Sequence, residues 1–158
     1  KKGIKTAVTG HDKFKNDVNE ADAKVVIEVR VPAQVDDAAG KTEASTVLEK
    51  EDTIAIYGSN EFAAKAIINA NGGFKESKLG ADKILAVGFD SGALQQDAIR
   101  KGIFVGSVTQ DPVQIGYQAV KLAIAAAKGE TVKDVDTGSK WYDAKNIDSE
   151  EIKALLYE

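Results

Sequence analysis

Apolar positions fall into two alternating patterns along the chain: short runs rich in Ile, Val and Ala, and longer stretches with helical spacing. Ile4–Val8 and Lys24–Val29 predict two strands, the second enriched in β-branched residues. Asp36–Lys50 predicts a helix with Ala39, Val47 and Leu48 turned to the core. Thr53–Tyr57 predicts a third strand. The helix after it is capped by Ser59 or Asn60, carries Phe62, Ala63, Ala66, Ile67 and Ala70, and ends at Gly72-Gly73. Lys83–Phe89, almost continuously apolar, predicts a strand covered on both faces. Ser91–Lys101 predicts a helix and Ile103–Val108 a fifth strand. Asp111-Pro112 predicts a sharp helix start, a capping carboxylate followed by a proline whose missing N–H costs nothing there, and that helix runs to Lys128. Ser139–Asp143 reads as an extended edge carrying Trp141 and Tyr142 as packing aromatics. Asp148 with Glu151 reads as a capping box for a last helix holding Ile152, Leu155 and Leu156.

Strands alternating with helices predict an α/β fold with a parallel, three-layer, flavodoxin-like sheet, because parallel neighbours need a long crossover. The residues between the first two strands are few for such a helix. Each of the five runs stops at a short polar group, among them Thr9-Gly10-His11, Ser59-Asn60-Glu61, Asp90-Ser91-Gly92 and Thr109-Gln110-Asp111. Ligands of these sheets bind beyond the carboxyl ends of the strands. Singly, Asn60, Asp90 and Gln110 are caps or turn formers. At three successive strand ends they converge on one cleft, where planar amide and carboxylate groups suit a polyhydroxylated small molecule.

The Pro112–Lys128 helix carries two apolar stripes. Val113, Tyr117, Val120, Ile124 and Ala127 form one, and Ile115, Ala119, Leu122 and Ala126 the other. A helix apolar over so much of its circumference is built to be covered on more than one side.

Composition narrows the function further. The 158 residues fit one domain, 43% are hydrophobic, and the net charge of −4 comes from interspersed charges with no basic stripe. Nucleic acid is therefore not an expected partner. No apolar run approaches the roughly 20 residues of a membrane span, so no membrane insertion is expected. The absence of cysteine excludes thiol chemistry and disulfides. Methionine is absent too, as in a processed chain. No glycine-rich phosphate loop is present, which argues for a sugar or polyol over a nucleotide and against a cofactor. His11, the one histidine, has no second histidine to share a metal and reads as a solvated loop residue or, alternatively, a ligand contact. Asp12, Asp36 and Asp37 sit beside helix starts and read as caps, so no enzyme is expected.

Three segments carry a resemblance to the ribose-type (type I) periplasmic sugar-binding proteins of ABC transporters. They are Ile56-Tyr57-Gly58-Ser59-Asn60-Glu61, Ile84–Asp90 and Gly106–Pro112, with Gly116, Tyr117, Asp136-Thr137-Gly138 and Asn146-Ile147 adding to the match. The resemblance implies a two-lobed protein that traps sugar by hinge closure, of which residues 1–110 are the C-terminal ligand-binding lobe. Residues 111–136 would belong to the N-terminal lobe, with Val108–Gln110 a hinge crossing, and residues 137–158 would return as an edge strand and terminal helix. It also implies that Asn60, Asp90 and Gln110 bind sugar hydroxyls and that the position of Val35 lines the site. Val35 stands where ribose binders carry an aromatic residue and Asp37 where they carry a basic one. The arginine usual after the first strand of this lobe has no counterpart in Asp12–Ala23. These departures point away from ribose itself.

The implied partners are a monosaccharide, an ABC transporter permease, and a first lobe or second copy over the Pro112–Lys128 helix. The implied location is the periplasm or the cell surface, there as an anchored lipoprotein of a Gram-positive bacterium. Two other readings share the architecture: the effector domain of a LacI-type repressor, and a flavodoxin-like enzyme or receiver domain. A receiver needs an acidic cluster after its first strand, which Thr9-Gly10-His11 does not supply.

Overall fold

The computed structural model describes residues 6–9, 20–75 and 77–157. Strands β1 (Thr6–Thr9) and β2 (Val25–Glu28) pair in parallel, with a 3₁₀ turn at Glu20–Asp22 before β2. Helix α1 (Asp37–Leu48) follows, then β3 (Ala55–Tyr57), α2 (Glu61–Ala70), β4 (Leu85–Phe89), α3 (Ala93–Arg100) and β5 (Gly106–Gln110). Helix α4 (Pro112–Ala127), strand β6 (Ser139–Tyr142) and helix α5 (Glu150–Lys153) complete the chain. The second sheet has the order β3-β4-β5-β6, parallel except for β6, which runs antiparallel to β5. Among the described residues no ladder joins the two sheets. Exposed ion pairs from Glu28 to Lys50 and from Arg30 to Glu43 connect the β2 end to α1 instead.

Helix ends follow the local chemistry. Asp36, Asn60 and Asp111 cap α1, α2 and α4, each carboxylate or amide oxygen accepting the N–H three residues on. Helices α2, α3 and α4 close alike, on Gly72, Gly102 and Gly129 at positive φ. In each, the glycine N–H and the one after it reach back to carbonyls of the last turn. After α3 this closure turns Ile103 and Phe104 onto Ala98 O, at 2.9 and 3.2 Å, and buries both side chains in the core. Strand β5 therefore begins at Gly106, later than the apolar run at Ile103 predicts.

The α3 and α5 starts also differ from expectation. Helix α3 starts at Ala93, not at Ser91, whose hydroxyl donates to Leu155 O at 3.2 Å; Gly92 is the cap position, with no side-chain bond. Ser149, not Asp148, caps α5, and Asp148 pairs with Arg100 at 3.2 Å. In α1 the buried line is Gly40, Ala44 and Leu48, a four-residue spacing that leaves Ala39 and Val47 half-buried.

Helices α2 and α3 pack on each other and on one face of the four-stranded sheet, with α1 outside α2. Alternation sends Ala86, Gly88, Ser107, Thr109 and Tyr142 to that covered face, and all are buried. Tyr57, Leu85 and Trp141 point the other way and stay partly exposed. Strand β4 is thus covered on one face, not two. Trp141 packs against Gly106, where an added Cβ would stand 2.1 Å from its ring. It packs as expected. Helix α4 buries none of its residues: Val113, Ile115, Tyr117, Val120 and Ile124 are 40–70% exposed.

Candidate functional site

The carboxyl ends of β3, β4 and β5 meet around Asp90. Its Oδ1 accepts the Gln110 side-chain amide at 3.0 Å, and its Oδ2 accepts the backbone N–H of Glu61 at 3.0 Å. Asp90 and Gln110, on neighbouring strands, are therefore in direct contact. Asn60 is tied to the pair through the next residue in the chain. Its Oδ1 accepts Ala63 N–H at 2.9 Å as the α2 cap.

These bonds orient the amides. A cap needs an acceptor, so Asn60 presents its oxygen inward and keeps its NH₂ group as a donor. A carboxylate partner needs a donor, so Gln110 faces Asp90 with its NH₂ and keeps its oxygen as an acceptor. Each Asp90 oxygen has one such partner and a further lone pair. The edge thus offers donors at Asn60 and acceptors at Asp90 and Gln110. Adjacent hydroxyls of a polyol, each both donor and acceptor, complement that set.

The remaining expected residues lie apart. Val35 stands in the loop before α1, 87% exposed. His11 lies outside the described residues. Asp37, in the first turn of α1, pairs with Lys65 at 2.8 Å. A cleft of about 110 Å³ beside Gln110 is lined by Asp111, Thr137–Lys140 and Leu155. It reaches neither Asn60 nor Asp90, which lie on an open edge. Among the described residues no group of three or more His, Cys, Asp or Glu side chains could hold a metal ion. No helix there is long and apolar enough to cross a membrane.

A second group beneath the edge was not foreseen from sequence. Asp90 adopts φ +75°, the only positive φ of a non-glycine among the described residues. Its carbonyl accepts from the Tyr142 hydroxyl at 2.8 Å, the Ser107 hydroxyl at 3.0 Å and Gln95 Nε2 at 3.4 Å. Burial pushes the Tyr142 hydroxyl up to about 12, so it remains a donor at any ordinary pH. Tyr157 near the C-terminus donates to Glu61 Oε2 at 3.3 Å and accepts from Ser91 N–H at 3.5 Å. Burial first, then the Asp90 and Glu61 carboxylates, raises its pKa. The one signal available beforehand was that Tyr142, an aromatic on an edge strand, brings a hydroxyl that needs a partner when buried.

Known proteins agree with this architecture. The model of the periplasmic binding protein domain matches residues 2–131. No curated protein matches the chain significantly. An ABC transporter, LacI family transcriptional regulator from Brachyspira murdochii is 44% identical, with a TM-score of 0.70 over 85% of this chain and 43% of that one. An ABC transporter solute-binding protein from Agrobacterium vitis with bound D-fucose is 28% identical, with a TM-score of 0.72 over 87% and 47%. A carbohydrate transporter solute-binding protein from Agrobacterium radiobacter in complex with D-arabinose is 26% identical, with a TM-score of 0.65 over 85% and 44%. The chain spans less than half the length of each of these structures. With the family model matching most of its residues, the chain belongs to the periplasmic binding protein domain family.

Proposed function

We propose that this chain is the C-terminal ligand-gathering lobe of an extracytoplasmic solute-binding protein, which takes a monosaccharide or similar small polyol and delivers it to an ABC importer. The observation that carries the reading is the Asp90 carboxylate, joined to Gln110 and to the Glu61 N–H, with an Asn60 donor beside it. Planar groups such as the half-buried Asp90 and Gln110 discriminate hydroxylated ligands, because an analogue lacking the hydroxyl leaves them unpaired. Sugar-bound relatives of the same fold support the class. Calorimetry of the full-length protein against pentoses, hexoses and nucleotides tests it. A monosaccharide should bind, and Asp90→Asn or Asn60→Ala should weaken that binding at least tenfold. Tight binding of nucleotides alone would overturn the reading.

In this reading Val108–Gln110 is a hinge crossing and α4 packs on a first lobe, which closes over the sugar. The exposed apolar stripe of α4 supports that division, since a patch of this kind marks an interface. Residues 1–158 alone should associate, or bind sugar only with the first lobe present. A clean monomer in light scattering, with sugar affinity equal to the full-length protein, would sink this part.

One observation favours a second reading. The Brachyspira protein, 44% identical, carries both transporter and LacI-family descriptions. A repressor effector domain would follow a helix-turn-helix segment in the longer chain, whereas a transport protein would follow a signal peptide or lipoprotein cysteine. The sequence upstream of Lys1 separates the two.

A further inference from the structure

Asp90 is held from both ends of its backbone. Its N–H donates to Val108 O at 2.8 Å, and its carbonyl accepts from Tyr142, Ser107 and Gln95. The three donors come from three elements: β6, β5 and α3. All three are buried, and their positions are interlocked. Gly88, Ser107 and Tyr142 are consecutive rungs across β4, β5 and β6 on the covered face. Gly88 leaves the space the donors use, for a Cβ there would stand 2.7 Å from Gln95 Nε2 and 2.9 Å from Ser107 Oγ. Gln95 also donates to Phe89 O at 2.9 Å, while its own Oε1 is buried with no hydrogen-bond partner among the described residues. Its amide is committed by the donor end.

A carbonyl has two lone pairs, so three donors saturate it. The saturation coincides with the one non-glycine in the left-handed region among the described residues, a conformation that disfavours any residue carrying a Cβ. Glycine would avoid that cost, but glycine has no carboxylate. With N–H and carbonyl both fixed, the Cα–Cβ bond of Asp90 has one direction, toward Glu61 N and Gln110.

We propose that Tyr142, Ser107 and Gln95 are positioning residues, which clamp the Asp90 carbonyl and so aim its carboxylate at the ligand. Tyr142 is the most telling of the three, because it ties the aim of the residue that follows β4 to the seating of the returning strand β6. The ligand half of the claim rests on the solute-binding reading; the clamp itself does not.

The test uses the full-length protein carrying Tyr142→Phe, with Ser107→Ala as the gentler second variant. Two readouts are taken. Nuclear magnetic resonance follows the side-chain NH₂ of Gln110, which reports its bond to Asp90 without any ligand. Calorimetry follows the monosaccharide that binds the unsubstituted protein. We expect the Gln110 NH₂ resonances to move in both variants while those of Asn71, in its separate network with Ser77 and Gly73, stay in place. Affinity should fall about tenfold for Tyr142→Phe and about threefold for Ser107→Ala. Leu48→Ala, in the core at the end of α1, supplies a control of lowered melting temperature and should hold affinity within twofold. Unmoved Gln110 resonances, or affinity within twofold of the unsubstituted protein in both variants, would overturn the clamp. If no sugar binds the unsubstituted protein, the solute-binding reading falls and the Gln110 resonances alone decide.

Discussion

Helices α2 and α4 are both rich in Ala and Ile, yet they live in different environments. Helix α2, ten residues long, buries Ala64, Ala66, Ile67 and Ile68 against the sheet and its neighbouring helices. Helix α4, sixteen residues long, buries none. Apolar spacing states which surface a helix is built to meet; it does not state that the surface belongs to the same stretch of chain. What holds α4 is local: the Asp111 cap, Pro112 in the first turn, and the Gly129 closure. At sixteen residues it has just passed the length, roughly 12–15, below which an isolated helix is marginal in water.

The sharpest way to break this contrast is to truncate both helices. Ile68→Ala should cost about 2–5 kcal/mol of global stability by urea titration, because Ile68 is wholly enclosed. Val120→Ala should change residues 1–158, at concentrations where they are monomeric, by no more than about 0.5 kcal/mol. Should Val120→Ala prove as costly as Ile68→Ala, α4 is covered in solution and the contrast fails. In a longer protein with a lobe over α4, Val120→Ala becomes the costly one.

An alkaline titration separates the regions next. The unfolded Tyr142 ionises near pH 10 and the folded one near 12, so the folded state holds the extra proton in that window. The stability this supplies is complete below pH 10 and is lost as pH rises through about 12, on the order of 2 kcal/mol. Tyr157, also raised, adds in the same direction. Tyr142→Phe should flatten the alkaline slope. An unchanged slope in that variant would refute the assignment.

Caps give a smaller effect with a clear difference in readout. Asn60→Ala and Asp111→Ala each remove one capping bond, worth about 1 kcal/mol. The first should lower the global midpoint. The second should show mainly as faster amide exchange along α4, since nothing else in the described residues depends on that helix. The smallest effect concerns Glu28, whose Lys50 and Arg30 partners hold its carboxyl below the usual range. That exposed cluster should supply under about 1 kcal/mol above the unfolded pKa and lose it as pH falls through the lowered folded value. Glu28→Gln should remove this acid dependence and little else.

Much of this was legible from residue patterns. Strand ends at Asn60, Asp90 and Gln110 could be aligned because alternating elements leave few topologies open. Asp111-Pro112 marked its helix to the residue. What escaped was decided by contacts distant in sequence. The apolar run at Ile103 looked like a strand, but the glycine closure of α3 claimed Ile103 and Phe104 for the core. Ser91 looked like the first residue of a helix, but its hydroxyl reaches Leu155 O and α3 starts at Ala93. No local pattern could show that Tyr142, fifty-two residues away, would bond the Asp90 carbonyl.

The antiparallel rung between Gln110 and Ser139 has a topological consequence. The chain departs at Asp111 and comes back at Gly138, beside its own point of exit. Strands β5 and β6 are in effect a hairpin whose turn has been stretched into residues 111–138, α4 included. A two-residue Asn-Gly turn spliced between Gln110 and Ser139 would restore the plain hairpin. It would also cut the entropy of closing that loop by about 2 kcal/mol. The fold thus contains its own cut-and-rejoin point, where a self-sufficient lobe could be isolated or another insert grafted, with the Asp90 edge left undisturbed.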